Sequence, residues 1–520
     1  MFCAVIVFLV SCTASLERIE GHVYYRLNAN PTTLDPALIA DVSGASIAAK
    51  LFNGLVRLGD DLEILPDIAE RWEISKDGKR YKFSLKKGVR FSNGHEVKAK
   101  DFKYSFERVL NPGMRSPNTW VFDKISGASE FQQGLANEVI GLRVSGDYVF
   151  EIILRKPFSP FLSMLTTTPA YVVPEEDVKR WSVDFSSHPS GTGPFVLKGW
   201  KSGGSLILQA NERYFDGKVR IRGIVYRIIP EDLTAVTEFE LGNIDVISLS
   251  ASAYSKFRND KKWGRYLASI KGLNTYYLGM NTSRPPFNDP DLRMAVSHAI
   301  DRKKILETFY EGRGRLALGP VPDMLRMWDL RPDMTASLHY APETAKRIIK
   351  TKGLSDTSVN MYVTADQDVV DLSEIIQSYL SASGMNVKIK QLEWSAYKEA
   401  INKGEPDMFW LSWWADYPDP ENFLFPLFHS SNFGPLGNRT RYVNKEVDLL
   451  IEKGQYSANE RTRSYYYQKA EEIIIRDSPW VPFWHRNDIL VHQPWIKGYK
   501  VYPIYTMDKG MNIELMGIRK

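Results

Sequence analysis

The stretch WLSWWADYPDPENF, residues 410–423, limits this chain more than any other. Residues 408–413 are apolar or aromatic except for Ser412 and read as a strand that must be buried against its neighbours. It runs into Asp416, which stands among Trp410, Trp413, Trp414 and Tyr417, with Pro418 and Pro420 behind. Indole rings are costly to leave in water, and a lone carboxylate is costly to bury among them. A cation should complete the acid. Either Arg439 or Arg441 of the same chain supplies it, or a cation from outside does. The α-amino group of a peptide is a compact ammonium with three donors and suits such a carboxylate. The strand residues just before the acid could pair backbone to backbone with an extended peptide, a mode that reads the main chain rather than side chains.

Composition narrows the classes. At 520 residues the chain has room for about two to four domains. Lys and Arg total 67 against 62 Asp and Glu, a net charge of +5 with no basic stripe, which argues against nucleic acid as a partner. Thirteen Trp and 26 Tyr fill a large core, and clusters of them are also typical of ligand-contacting surfaces. Both cysteines, Cys3 and Cys12, lie in the first dozen residues, so the rest of the chain has no disulfide framework and no Cys-based metal site.

The start, MFCAVIVFLVSCTAS, has an apolar run far shorter than the roughly 20 residues of a membrane-spanning helix. It reads as the core of an export signal, although no Lys or Arg precedes it. Leu9-Val10-Ser11-Cys12 is similar to the bacterial lipobox, with Cys12 as the lipidated residue. An acyl-anchored protein outside the cytoplasm, at the periplasmic face of the membrane, is expected.

No repeat, low-complexity tract or long linker appears, and the elements are mixed α/β without strict alternation. Strands are expected at 22–28, 148–154, 219–229, 273–280, 387–391 and 408–413, and a hairpin at 72–85 around Asp77-Gly78. Helices are expected at 41–52, 99–109, 291–310, 341–351, 371–383, 395–403 and 461–476.

Catalytic signatures are weak. Ser395-Ala396-Tyr397-Lys398 matches the S-x-x-K of serine acyl-enzymes, but neither S-D-N nor K-T-G accompanies it. Gly312-Arg313-Gly314 with Ala317 follows a helix rather than a strand, so it lacks the phosphate-cradling geometry of a dinucleotide site. No H-E-x-x-H and no G-x-S-x-G occurs. The reading is therefore not an enzyme, with a hydrolase at Ser395 as the remote alternative.

From about residue 22 to the end, the chain resembles the extracytoplasmic solute-binding proteins of oligopeptide and dipeptide ABC importers. The resemblance is carried, in order, by Leu34-Asp35-Pro36, LFNGLV (51–56), LPDIAERWEISKDGKRYKFSLKKGVRFSNG (65–94), DFKYSFERVL (101–110), SGTGPF (190–195), PPFNDPDLRMAVSHAIDR (285–302), the opening motif and VPFWHRND (481–488).

The resemblance implies an α/β, periplasmic-binding-protein type II-like fold: a three-domain, two-lobe receptor with a hinge. After a signal and anchor at 1–21, domain I would comprise 22–60, 186–270 and 484–520. Domain II would be the insertion 61–185 and domain III 271–483, with hinge strands crossing near 270 and 484. Asp416 would hold the peptide ammonium, and Ser412, Trp414 and Ala415 would offer backbone or wall groups. Trp394, Trp413 and Trp414 would wall the pockets, Trp410 would be a further ligand contact, and Ala40 and Val42 would contribute from the other lobe. Where the family's best-known oligopeptide receptor places arginines near the ligand's carboxyl end, this chain has Ile401 and Trp410. Arg486 stands where that receptor has a tyrosine, so it becomes the candidate partner of a ligand carboxylate. The implied partners are a peptide and the permease subunits of the importer. No cofactor, no metal and a monomeric state are implied. Same-fold receptors for cell-wall peptides, nickel chelates, haem or oligosaccharides remain the alternatives.

Overall fold

The structure, a computed structural model, describes residues 18–354 and 358–516. Cys12 and the preceding apolar run lie outside the described residues. The elements that build the site are, in chain order, β1 (His22–Leu27), α1 (Val42–Leu51), β2 (Leu267–Lys271), β3 (Asn274–Met280), β4 (Gly314–Leu316), α2 (Trp394–Lys403), β5 (Met408–Trp414) and β6 (Trp480–His492).

One long sheet organises the molecule. From one edge its strands run Asn386–Leu392, Ser358–Thr364, β5, β3, β6, Val246–Ser248, β1, Gly223–Ile228, Ser205–Ala210 and Phe195–Lys201, with β2 and β4 added on β6. The thirteen residues of β6 serve two halves of this sheet. Its first part pairs antiparallel with β3, Gly279 opposite Trp480 and Tyr276 opposite Trp484. Its second part pairs with β2, Lys271 opposite Asn487 and Leu267 opposite Val491. The β2–β3 segment and β6 therefore cross together from one half to the other.

That crossing is tight. Gly272 donates its N–H to the Arg486 carbonyl at 3.1 Å, and a Cβ on Gly272 would lie 2.4 Å from the same oxygen, so only glycine fits. Asn274, fully buried, donates from Nδ2 to that oxygen at 3.0 Å and accepts the Arg486 N–H at Oδ1 at 2.7 Å.

Separate apolar cores lie to either side. One packs Leu278, Val296, Ile376 and Val481, and another packs Val23, Ile47, Ile224 and Val246. A third, with Phe83, Phe102, Phe106 and Phe150, belongs to residues 55–172 and their own four-stranded antiparallel sheet. The expected hairpin is part of that sheet, and Phe102 and Phe106 are buried on the helix Ala99–Leu110 as their spacing required. Asp35 ties the loop before α1 to this unit. It is buried, and Arg108 of the helix Ala99–Leu110 grips both its oxygens, Nη1 to Oδ1 at 2.7 Å.

Two expectations need correction. The helix expected at 291–310 is two helices, Pro290–Ala299 and Arg302–Thr308. Ile300 is extended between them, and Asp301 caps the second by accepting the Lys304 N–H at 2.9 Å. An aspartate that bonds its own backbone starts a helix more readily than it continues one. The strand expected at 219–229 is confined to Gly223–Ile228.

Candidate ligand-binding cleft

A cleft of about 1150 Å³ lies where the two halves of the sheet meet. One wall carries Tyr276, Tyr310, Trp394, Trp410, Trp414 and Trp484, and the facing wall carries Tyr25, Val42, Tyr226, Tyr499, Tyr502 and Tyr505. Strand alternation sorts the indoles of the opening motif. Trp410 and Trp414 point to the cleft side of β5, and Tyr276 of β3 sits edge-on to Trp414 at 6.4 Å. Trp413 points the other way. It packs with Phe409 and Leu411 on the far face and donates its indole N–H to Asn422 Oδ1 at 3.3 Å. Ser412 shares the face of Trp410 and Trp414, opposite Tyr276 in register, but is not part of the cleft lining.

The cleft wall passes through Trp414 and Ala415, and Asp416 follows directly. Among the described residues no Lys, Arg or His reaches within 4.0 Å of its carboxylate. The two arginines that sequence left open are occupied elsewhere. Arg439 bonds Asn402 Oδ1 at 3.0 Å and the Gly437 carbonyl, and Arg441 bonds the carbonyls of Asn402 and Lys403. What holds Asp416 is an amide: Asn422 accepts the Asp416 N–H at 3.0 Å and donates to Oδ2 at 3.2 Å. Burial pushes this carboxyl up to about 6, with the Asn422 bond acting in the opposite direction. Asp416 also lies within electrostatic reach of Tyr505 on the facing wall. That hydroxyl is raised by burial and then by the charges of Asp416 and Asp41.

β5 offers a free edge beside this acid. On one side it pairs with β3 along its whole length, Met408 to Trp414 against Met280 to Asn274. On the other side, toward Ser358–Thr364, it pairs only at Met408 and Phe409. Past that point the Trp410 carbonyl takes the Tyr397 hydroxyl, and among the described residues no strand continues the ladder. Such an edge is a template for an added strand.

The remaining sequence candidates are placed as follows. Val42 opens α1, is 60 % exposed and lines the cleft, and Ala40 is exposed in the loop before it but does not line it. That loop is pinned by Asn118, which donates to the Ile39 carbonyl at 2.8 Å. Trp394, half exposed at the start of α2, borders the cleft with the Lys398 ammonium 5.2 Å from its ring. Arg486 lies 4.7 Å over the Trp414 ring and 3.5 Å from Asp488. Ser395 sits outside the cleft, its N–H given to Glu393, and among the described residues no hydrogen bond joins it to Lys398. Sequence reading missed Tyr276, Tyr310, Arg313, Tyr505 and Asn422. Of these, Asn422 lay inside the opening motif, and Arg313 inside the Gly312-Arg313-Gly314 stretch that was set aside as a dinucleotide site.

Comparison with known proteins agrees with this architecture. Heme-binding protein A of Haemophilus influenzae is 29 % identical over 511 residues, spanning 93 % of this chain and 91 % of that protein. A probable D,D-dipeptide-binding periplasmic protein, DdpA, of Escherichia coli is 28 % identical over 502 residues, spanning 94 % and 92 %. The solved structure of an ABC transporter-associated periplasmic binding protein, DppA from Helicobacter pylori in complex with peptide STSA, superposes with a TM-score of 0.80 at 26 % identity, covering 95 % of this chain and 98 % of that one. The fold is thus the two-lobe, type II-like one, and among the described residues no helix is long and apolar enough to cross a membrane. Residues 63–435 match the model of bacterial extracellular solute-binding proteins, family 5 Middle, and the chain belongs to that family of substrate-binding receptors.

Proposed function

We propose that this protein is a receptor for extended peptides, which it delivers to the permease of an ABC importer. The observation that carries the reading is Asp416: a half-buried carboxylate with no cation within ion-pair reach among the described residues, at the end of an unpaired strand edge, beside an aromatic cleft. The ammonium of a peptide completes the acid, the edge of β5 pairs with the peptide backbone, and Trp394, Trp410 and Trp414 wall the side chains. Trp413 supports Asn422 from behind. Val42 and the loop at Ala40 close from the other lobe. A ligand touching both walls favours the closed state, and the β2–β3 and β6 crossing is the hinge. Domain I takes 22–60, 186–270 and 484–520, domain II 61–185 and domain III 271–483. Three of the apolar cores each draw mainly on one of these domains, which supports the division. A lipid on Cys12 holds the monomeric receptor at the membrane.

The test is calorimetry with an alanine-based tri- to pentapeptide series, each with a free and an acetylated N-terminus. Free peptides are expected to bind and acetylated ones to lose affinity by two decades or more. Equal binding of the two sets would sink the ammonium reading. A haem receptor is the second reading, favoured by the name of the Haemophilus influenzae relative and by the aromatic walls. Titration of haem, followed by its absorbance, with no peptide binding would favour it.

A further inference from the structure

Arg313 is a buried cation that forms no ion pair with a carboxylate among the described residues. It leaves a tight turn in which Glu311 (φ +48°) and Gly312 (φ +70°) are both left-handed, and its N–H closes the turn on the Tyr310 carbonyl at 2.9 Å. Asn487 of β6 then donates its N–H to the Arg313 carbonyl at 2.9 Å, fixing the backbone beside the hinge strand. The guanidinium lies over Tyr310, Cζ 4.1 Å from the ring centroid, and Tyr310 is stacked in turn on Trp484 at 4.5 Å. Among the described residues only Nε has a hydrogen-bond partner, the Tyr310 carbonyl at 3.1 Å.

Neighbouring arginines are treated differently. Arg315, two residues on, is held by Asp323 at 2.7 Å. Arg302, equally buried, donates to the carbonyls of Ala317, Leu338 and Pro482. Arg486 has Asp488 at 3.5 Å and covers Trp414. Arg313 is 8 % exposed and lines the cleft, and among the described residues no Asp or Glu lies within 4.0 Å of it. Asp368 is close enough to feel its charge but forms no ion pair with it. A guanidinium presents a planar fork that matches a carboxylate with two parallel bonds, and stacking on an aromatic ring fixes the plane of that fork in advance.

We infer that Arg313, rather than Arg486, seats a carboxylate of the cargo in the cleft. The inference rests on the peptide reading for the identity of the cargo. The carboxylate comes from the peptide's C-terminus or from an acidic side chain. Either source completes a charge that the fold leaves open, and it makes the receptor discriminate ligands by the position of their negative group.

The test is calorimetry on the wild-type protein, Arg313→Gln and Arg313→Lys. The ligands are alanine peptides of three to five residues as free acids, as C-terminal amides, and as amides with one internal Glu. For wild type, the free acid is expected to bind on the order of a hundredfold tighter than the plain amide. Arg313→Gln should erase that difference while leaving the plain amide within about threefold of wild type. Arg313→Lys, which keeps the charge and loses the fork, should fall between, and it carries the comparison if the Gln variant does not fold. If only the Glu-containing amide is favoured, the side chain is the source and the seat stands. Wild type binding acid, plain amide and Glu amide equally would overturn the proposal without any variant. So would an Arg313→Gln loss that is the same for all three ligands. N-terminal acetylation reads Asp416 separately: if it changes nothing while the acid–amide difference holds, the ammonium reading fails and the anion seat survives.

Discussion

Asn422 grips Asp416 from both ends of its amide, accepting the backbone N–H at 3.0 Å and donating to Oδ2 at 3.2 Å. A neutral amide orients the carboxylate without neutralising it, which leaves the charge available to a ligand. Asp416→Ala should therefore weaken peptide binding by about two to three and a half decades, from the roughly 3–5 kcal/mol of a broken buried charge pair, while the protein still folds. Asn422→Ala should weaken binding less, because it misplaces the acid instead of removing it. Calorimetry on both variants checks the order. Equal affinities in wild type and Asp416→Ala would remove the acid from the site.

Acidity should act on the empty and loaded receptor in opposite senses. Burial raises the carboxyls of Asp416, to about 6, and Glu421, to about 7, the latter despite bonds from Tyr417 and Gln455. Groups with raised folded-state values stabilise the fold most below their unfolded values, and that contribution is lost as pH rises through the folded ones. The empty receptor should thus gain stability from these two acids as pH falls from 8 to 5. Carboxylates held low, such as Glu96 at about 2, give up their contribution only at lower pH. Binding of an ammonium needs ionised Asp416, so affinity should fall up to tenfold for each pH unit below 6. Thermal melts at pH 5 and 7.5, with and without peptide, should show a smaller ligand-induced shift at pH 5. An equal or larger shift at pH 5 would contradict the assignment.

Neighbouring tryptophans should give opposite phenotypes. Trp413 is half-buried on the far face of β5 with Phe409 and Leu411, so Trp413→Ala should cost about 2–4 kcal/mol of stability. Trp414 faces the cleft under Arg486, so Trp414→Ala should lower peptide affinity roughly tenfold with a smaller loss of stability. Denaturant unfolding and calorimetry on both variants separate the effects. If Trp414→Ala kept wild-type affinity, the facing of β5 would be wrong.

Much of this was legible because local patterns and tertiary needs agreed. The apolar run 408–413 had to be a buried strand, and the indoles around Asp416 posed an unanswered charge, which no cation among the described residues answers. The family resemblance gave an expected hinge near 270 and 484; what the structure shows there is two strands crossing between the sheet halves. Other features had no local signature. Arg313 lies in a Gly-rich turn that reads as a loop, and its lack of a carboxylate partner among the described residues depends on where Asp323 and Asp368 come to rest. Trp413 and Trp414 are equivalent in composition, and only pairing with β3 settles which one faces the cleft. The break at Ile300 was hidden by helical spacing that continues across it, and the Asp301 cap decided it.

The hinge clasp yields a prediction about motion rather than contact. Gly272 and Asn274 place two N–H donors on the Arg486 carbonyl, and Asn274 Oδ1 takes the Arg486 N–H, so both crossing chains are locked at one residue. In Gly272→Ala the new Cβ would sit 2.4 Å from a backbone oxygen and 2.2 Å from the Asn274 amide nitrogen, which forces the strands apart. Asn274→Ala keeps the spacing but strips the Arg486 N–H of its acceptor, at about 1–3 kcal/mol for an unpaired buried donor. Both changes should lower the melting temperature. Only Gly272→Ala alters the path of the chain between the lobes, so only it should change the dimensions of the empty receptor in small-angle X-ray scattering. Arg486 also caps Trp414, so both variants should weaken peptide binding while the acid–amide preference set by Arg313 persists. Unchanged scattering and unchanged melting in Gly272→Ala would mean that the lobes pivot somewhere other than the β2–β3 and β6 crossing.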